Sequence, residues 1–154
     1  MNKVPRFGLI MGGLLLFSFM AVIRLSHTAP RLGLQNGKLL PCPDSPNCVC
    51  SEQEPGLALH LGSYGREQAW QLLQNIVAAQ GGEIVKHNET YLHAKFYSKW
   101  MHFIDDFEAR LDREAGLIQM RSAARSGYYD FNVNRKRIEA IRKKMNVYLR
   151  SADD

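Results

Sequence analysis

The segment His102–Arg137 holds most of the side chains that could perform chemistry. It begins with a histidine and two adjacent carboxylates, His102, Asp105 and Asp106. Such a group can bind a metal ion or transfer protons, so these residues are the candidates for a hydrolase or transferase site, which His93 could join. Adjacent residues on a strand point to opposite faces, so Asp105 and Asp106 could share a metal only across a bulge. We therefore predict no metal site.

Common catalytic signatures are missing from the sequence. It contains no G-x-S-x-G or H-E-x-x-H motif and no phosphate-cradling glycine loop. Catalysis is therefore the alternative hypothesis rather than the first one, and we predict no cofactor.

The second half of the chain has an excess of cations that suits an anionic partner. Residues 117–150 contain nine lysines or arginines but only two acids, Asp130 and Glu139. An anionic small molecule, a lipid headgroup or a protein partner would fit this charge, and a solvated basic helix face is the alternative interpretation. Nucleic acid is not predicted as a partner, because the segment lacks a recognisable nucleic-acid-binding motif.

The start of the last predicted helix gives the clearest indication of a binding site. Arg135, Lys136 and Arg137 lie in its first turn, where cations oppose the helix dipole. The compensating charge could be internal, from Asp105 or Asp130, or external, from a ligand phosphate or carboxylate. The predicted ligand-binding residues are Arg121, Arg125, Asn134, Arg135 and Arg137.

Hydrophobic periodicity predicts the elements that position these residues. Apolar residues at helical spacing predict two helices, and alternating apolar residues predict four strands. The helices are expected at Arg66–Gln80, ended by Gly81–Gly82, and at Arg135–Leu149; the strands are expected at Glu83–His87, Tyr91–Tyr97, His102–Asp112 and Leu117–Ala123. This order predicts an α+β fold, with a four-stranded antiparallel sheet and two helices packed on one face.

The third predicted strand places carboxylates on both of its faces. Asp105 falls with the apolar set, so it needs a cation or an N–H partner, or its pKa must rise. Asp106 and Glu108 fall on the other face, where the register sets Arg121 opposite one of them. Such a pair is a structural salt bridge by default, and a purely structural envelope component is therefore a further hypothesis.

The N-terminal region differs from the rest of the chain. Residues 1–24 hold an uncharged run, Phe7–Ile23, between basic residues, which predicts a membrane helix as a signal anchor, with a cleaved signal peptide as the alternative. Residues 25–40 predict a linker, and residues 41–150 a single α+β domain that begins with a Cys/Pro loop. We expect a membrane-anchored protein whose domain lies outside the cytoplasm, on the periplasmic side.

The Cys/Pro loop, Pro41–Gln53, contains the three cysteines of the chain. Its prolines force turns that could bring Cys42 and Cys48 within bonding range, and an oxidising compartment favours a disulfide. Zinc and a redox-active pair remain alternatives, although the C-x5-C-x-C spacing is typical of neither. Cys50 is the odd thiol.

Four motifs occur in order between about Leu39 and Leu149: CPDSPNC, YLHAKFYS, FIDDFEARLD and RSAARSGYYDFNVNRKRIEAIR. In these motifs the chain resembles an uncharacterised family, domain of unknown function 1499. The family pattern usually has serine at the position of Cys50, which implies that Cys42 and Cys48 form the structural pair. The resemblance implies no reaction, so the sequence favours a membrane-tethered, non-enzymatic domain that binds an anionic ligand or partner through its arginines.

Overall fold

The computed structural model describes residues 30–99 and 101–150, together with scattered positions between Met11 and Thr28. Most of residues 1–24, predicted as a membrane anchor or signal segment, lies outside the described residues. Within the part that is described, the structure has no helix with the length and apolar character needed to cross a membrane.

The described residues form a small β-rich α+β domain. Its elements, in chain order, are β1 (Leu34–Gln35), β2 (Lys38–Leu39), β3 (Cys48–Cys50), β4 (Leu59–His60), α1 (Arg66–Ala79), β5 (Glu83–His87), β6 (Tyr91–Tyr97), β7 (Ile104–Asp112), β8 (Leu117–Ala124) and α2 (Val133–Arg150). β1 and β2 form a separate two-stranded hairpin, and the other six strands form one antiparallel sheet.

The predicted fold is wrong in its strand count and in its membrane helix. The sheet has six strands in the order β3-β8-β7-β6-β5, with β4 also paired to β8, rather than four strands. β3 and β4 have three and two residues, too short to show an alternating pattern, and both pair with β8. The membrane helix is not supported, because none of the helices found in the described residues could span a bilayer.

Both helices pack on one face of the sheet, as predicted. Leu73 and Val77 of α1 and Ile138 and Ile141 of α2 are buried in one apolar core with Phe107 of β7. The burial of large side chains on both layers provides the main stabilisation of the domain. It also gives β7 and β8 a rigid backing.

The end of α1 confirms the predicted glycine cap. The N–H of Gly81 donates to the carbonyl of Ala78 at 2.9 Å, and that of Gly82 donates to Val77 at 3.0 Å. This bond pattern is a Schellman motif, and the φ of +87° at Gly81 requires a residue that tolerates the left-handed region. The motif directs the chain into β5.

The second, polar face of the sheet is covered as well. β2 lies against β7 and β8, so residues 30–47, part of which were predicted as a linker, form a layer over this face. The N–H of Gly33 donates to Glu108 at 2.7 Å, and Leu39 packs with Cys50 and Tyr91. As a result Asp106 and Glu108 are only 1% and 0% exposed.

The predicted disulfide is confirmed. Cys42 and Cys48 are bonded, with their Cα atoms 5.6 Å apart, and Cys50 is a buried free thiol. The bond closes the Cys/Pro loop over the polar face of the sheet. The division into anchor, linker and domain stays a prediction.

Reduction of this disulfide is expected to lower the free energy of unfolding by about 2 kcal/mol, because the cross-link restricts a short loop in the unfolded chain. Urea denaturation of the wild type and of a Cys42→Ser/Cys48→Ser variant, with and without reductant, measures the effect. Cys50→Ala is the control. It keeps the disulfide, so its free energy of unfolding should still fall when reductant is added. A wild type that is equally stable in both conditions would contradict the prediction.

Candidate functional site

Charged side chains of β6, β7 and β8 converge on the covered face of the sheet. The register sets Glu108 of β7 between His93 of β6 and Arg121 of β8. Because side chains alternate along each strand, Asp106 lies on the same face as these three residues. Arg121 was predicted to lie opposite Glu108 or Asp106, and its partner is Glu108, with Nη1 of Arg121 at 3.1 Å from Oε2 of Glu108.

Asp106 is held by two partners. Nε and Nη2 of Arg125 each donate to one carboxylate oxygen at 2.7 Å, which is the bidentate geometry of a strong ion pair. Nε2 of His93 also lies 2.7 Å from Oδ1. Burial raises the pKa of Asp106. The hydrogen bonds from Arg125 and His93 and their charges lower it by more than burial raises it, so the pKa lies below its usual value. Asp106 is therefore ionised at neutral pH.

Glu108 is the other buried carboxylate of this face. Its Oε1 accepts hydrogen bonds from the hydroxyl of Tyr91 and from the N–H of Gly33, both at 2.7 Å, while Oε2 faces Arg121. Burial and the adjacent Glu108 carboxylate raise the pKa of Tyr91, so its hydroxyl stays protonated and donating. Glu108 thus ties β6, β7, β8 and the covering segment together.

A cavity of about 350 Å³ opens beside Asp106, between the Cys/Pro loop and the ends of β7 and β8. Arg121 and Arg125 line it from the sheet. The remaining walls are formed by Pro30, Pro43, Ser45, Asn47, Ala123, Ala124, Ser126 and Gly127. Nε of Arg121 is buried and has no hydrogen-bond partner among the described residues. The cavity therefore lies next to a cation whose hydrogen-bonding capacity is not used up.

The four arginines among the five predicted ligand-binding residues separate into two groups. Arg121 and Arg125 line the cavity. Arg135 and Arg137 lie elsewhere, on α2: Nη2 of Arg135 donates to both carboxylate oxygens of Glu54 at 2.8 Å. The guanidinium of Arg137 lies 4.4 Å from the centre of the Phe96 ring, on the helix-covered face.

The cations at the start of α2 are compensated internally, which was one of the two predicted possibilities. Nη2 of Arg137 donates to Asp105 at 2.7 Å. The carboxylate of Asp130 accepts from the N–H groups of Asn132 and Asn134 at 3.0 and 2.9 Å, so Asp130 caps the helix. The start of this helix therefore needs no bound anion.

Asn134 is a structural residue in this arrangement. Its side chain is fully buried, accepts from Ser122 at 2.6 Å and donates to Asp130 at 2.9 Å and to the carbonyl of Asn47 at 3.2 Å. It fixes α2 against β8 and against the Cys/Pro loop rather than facing the cavity.

The candidate catalytic residues are not brought together. Asp105 and Asp106 point to opposite faces of β7, and His102 is exposed in the connection before that strand. Across the described residues, no group of three or more histidine, cysteine or acidic side chains is arranged to hold a metal ion. His93 does contact Asp106, and the alternation of β6 and β7 with their register was the signal that could have predicted it.

The loop residues that line the cavity were not predicted from the sequence. Ser45 and Asn47 lie in the Cys/Pro loop, where Oγ of Ser45 donates to Asn47 at 2.6 Å, and Asn47 in turn donates to the carbonyl of Gly127. The only local signal was the turn-forming composition of this loop. Its position over β8 follows from the pairing of β3 with β8, across more than 70 residues of chain.

The fold and the site define a small α+β domain in which a disulfide-closed loop covers a buried ion-pair network on the sheet. Over residues 38–145 the chain matches the family described as Protein of unknown function (DUF1499), and it belongs to that family. This finding confirms the resemblance seen in the four sequence motifs. No curated protein matches the chain. The matched range includes every described residue of the cavity except Pro30.

Proposed function

We propose that the protein is a non-enzymatic binding domain that holds a small anionic ligand, or an anionic group of a partner, in the cavity beside Arg121 and Arg125. The observation that supports this function best is the pair of guanidinium groups, those of Arg121 and Arg125, that line the cavity. Guanidinium groups form strong, directional hydrogen bonds with phosphate and carboxylate oxygens, so a small anion would suit this wall.

The hydrogen-bond donors of the cavity wall also favour an anion. Two guanidinium groups and one carboxylate, that of Asp106, line the described part of the cavity, and Glu108, which does not line it, pairs with Arg121, so the attraction for an anion comes from N–H donors rather than from net charge. Asp106 engages Nε and Nη2 of Arg125, and Glu108 engages Nη1 of Arg121, so donors of both arginines remain available. Neutral polar groups of Ser45 and Asn47 could add hydrogen bonds.

The size of the cavity restricts the ligand class. At about 350 Å³ it lies near the lower end of ligand pockets. We therefore expect a small carboxylate or phosphate rather than a large cofactor. Arg135 and Arg137 are left out of this site, because they lie on α2 and are not among the residues that line the cavity.

A purely structural role is the second candidate function. It is favoured by the close pairing of Asp106 with Arg125 and of Glu108 with Arg121, all of them nearly or fully buried.

We also propose that the domain resides outside the cytoplasm, because disulfides such as Cys42–Cys48 persist in oxidising compartments.

Replacing Arg121 by lysine is expected to weaken anion binding by about 10-fold or more, because lysine keeps the charge but loses the planar guanidinium with its several N–H donors. Native mass spectrometry of the whole chain, purified from an oxidising compartment, detects a co-purifying anion. Calorimetric titration with inorganic phosphate and small dicarboxylates then measures the affinity. Circular dichroism verifies that the variant is folded.

Arg113→Lys is the matched control, because Arg113 is a partly exposed arginine that pairs with Glu67 and Glu89 away from the cavity. Its anion affinity should equal that of the wild type. A wild type that binds none of the probes and carries no anion, or equal affinities in Arg121→Lys and Arg113→Lys, would leave the structural role as the better explanation.

A further inference from the structure

The loop before α2 exposes a cluster of aromatic side chains. We define the aromatic loop as Tyr128–Phe131; Tyr128 is 74% exposed, Tyr129 52% and Phe131 77%. The rings of Tyr129 and Phe131 contact each other edge to face, 5.2 Å between centres. Single exposed apolar residues are ordinary, whereas a contiguous exposed cluster marks an interaction surface.

The backbone of this loop holds Phe131 outward at a conformational cost. Phe131 and Asn132 have φ angles of +55° and +62°. Asparagine tolerates the left-handed region, but a bulky residue such as phenylalanine rarely adopts it. The carboxylate of Asp130, which accepts from the N–H groups of Asn132 and Asn134, fixes this conformation. The projection of the aromatic rings is therefore built into the fold, and such strain is typical of functional sites.

The outer side of α2 extends this surface. Six residues recur at alternating spacings of three and four, which places them on one side of the helix. We call them the exposed stripe: Val133, Lys136, Ala140, Lys143, Val147 and Arg150. All six are exposed, and the buried seam of Ile138, Ile141 and Met145 lies on the opposite side. The stripe runs for roughly 25 Å along the helix axis.

The stripe combines cations with small or apolar side chains. It carries Lys136, Lys143 and Arg150 and contains no acid. Glu139 and Lys144 flank the stripe on opposite sides, and because their charges have opposite sign they add no net charge to it. Cations spaced over such a length match a laterally continuous anionic surface better than they match one anionic group.

We propose that the aromatic loop and the exposed stripe together bind the surface of an anionic lipid bilayer. Tyrosine and other aromatic side chains favour the headgroup level of a bilayer, where an apolar ring and a polar edge are both accommodated. Lysine and arginine next to them are attracted to anionic headgroups, by about fivefold in affinity per residue. The aromatic loop and the cations of the stripe thus contribute the two components of peripheral membrane binding.

This surface is distinct from the cavity beside Arg121, although the two are neighbours in the chain. Ser126 and Gly127 line the cavity, and Tyr128 follows them directly. Bilayer binding through the aromatic loop would bring the adjoining cavity wall close to the headgroups. The two sites can nevertheless be tested separately, since their residues do not overlap.

Vesicle sedimentation of the whole chain tests the proposal. Vesicles of phosphatidylcholine with phosphatidylglycerol should bind the wild type, and binding should weaken as salt screens the charges. Lys136→Gln/Lys143→Gln should reduce the partition coefficient about 25-fold, at about fivefold per cation. Phe131→Asn, which suits the left-handed backbone, should reduce it while keeping the fold.

The matched control is Lys86→Gln/Lys99→Gln, which removes two exposed lysines outside α2. This variant should bind like the wild type, as should Arg121→Lys. Residues 1–24 are present in every variant, so any contribution from them cancels in the comparison. The proposal would be overturned if Lys136→Gln/Lys143→Gln and the control lost the same amount of vesicle binding. It would also be overturned if both Lys136→Gln/Lys143→Gln and Phe131→Asn bound vesicles like the wild type. Capture of an acidic protein without vesicle binding would also overturn it.

Discussion

Replacing Glu108 by methionine is expected to lower the free energy of unfolding by about 3–5 kcal/mol. The side chain of Glu108 is fully buried and accepts hydrogen bonds from Tyr91, Gly33 and Arg121. Its removal leaves a guanidinium, a hydroxyl and an N–H group without their acceptor in a water-excluded layer. Leaving each of these groups buried without an acceptor costs free energy, and the unpaired charge of Arg121 costs the most. Urea denaturation at neutral pH measures the change.

The double variant Glu108→Met/Arg121→Met shows whether the ion pair is the cause. Without Arg121 no uncompensated charge remains, so the double variant should recover part of the lost stability. Recovery should be incomplete, because Tyr91 and Gly33 still lack an acceptor. Glu67→Gln is the control at an exposed pair with Arg113 and should leave the free energy of unfolding nearly unchanged. If the losses of the single variants Glu108→Met and Arg121→Met simply add in the double variant, the buried pair is not coupled.

The alternation of β7 was enough to predict which carboxylate lies on which face. It placed Asp105 with the apolar residues, where this carboxylate needed a cation or an N–H partner, or a raised pKa. Arg137 of α2 is its cation, and burial also raises its pKa. It also set Arg121 of β8 opposite Glu108 or Asp106, because both apolar sets must stay on the same side, and the structure pairs Arg121 with Glu108. These predictions succeeded because β7 and β8 are long, with nine and eight residues.

The cover of the polar face could not be predicted in the same way. The segment over this face has strands of only two residues, and its contacts with the sheet are distant in sequence, as between Gly33 and Glu108. Local periodicity contains no information on such contacts. The face therefore looked like a polar surface, whereas Asp106 and Glu108 are more deeply buried than many apolar residues. The cavity was missed for the same reason.

The cations of α2 show where a charge pattern misleads. Arg135-Lys136-Arg137 predicted an external anion as one of two possibilities, and the structure supplies internal partners for both arginines. Asp105 was a named candidate, but Glu54, the partner of Arg135, lies 81 residues away in sequence and could not be named. The indication of ligand binding therefore moves from the start of α2 to Arg121 and Arg125.

The disulfide-closed loop links the stability of the domain to the proposed site. Pro43, Ser45 and Asn47, which lie between the bonded Cys42 and Cys48, form one wall of the cavity. The opposite wall is β8 with Arg121, which rests on the buried network around Glu108. Both walls are thus fixed by interactions that do not involve a ligand, and such preorganisation lowers the cost of binding.

Replacing Asp106 by asparagine is expected to lower the free energy of unfolding by about 3 kcal/mol at neutral pH, since Arg125 then loses its buried counter-ion. The pKa of Asp106 in the folded protein lies below its usual value of 3.8. Its contribution to stability is therefore fully present above that value and is lost as the pH falls through 3.8 towards the folded pKa. The wild type should thus exceed the variant by a constant amount above about pH 5 and by less in more acidic solution.

Asp105→Asn is the matched control, because it changes the adjacent carboxylate on the opposite face. Burial raises the pKa of Asp105 more than its pairing with Arg137 lowers it. The contribution of Asp105 is therefore greatest below the usual value of 3.8 and is lost as the pH rises through the folded pKa. Urea denaturation over an acidic pH series should show the stability gap to wild type narrowing with acid for Asp106→Asn and widening for Asp105→Asn. Gaps that change in the same direction would contradict the assignment of these two carboxylates to different environments.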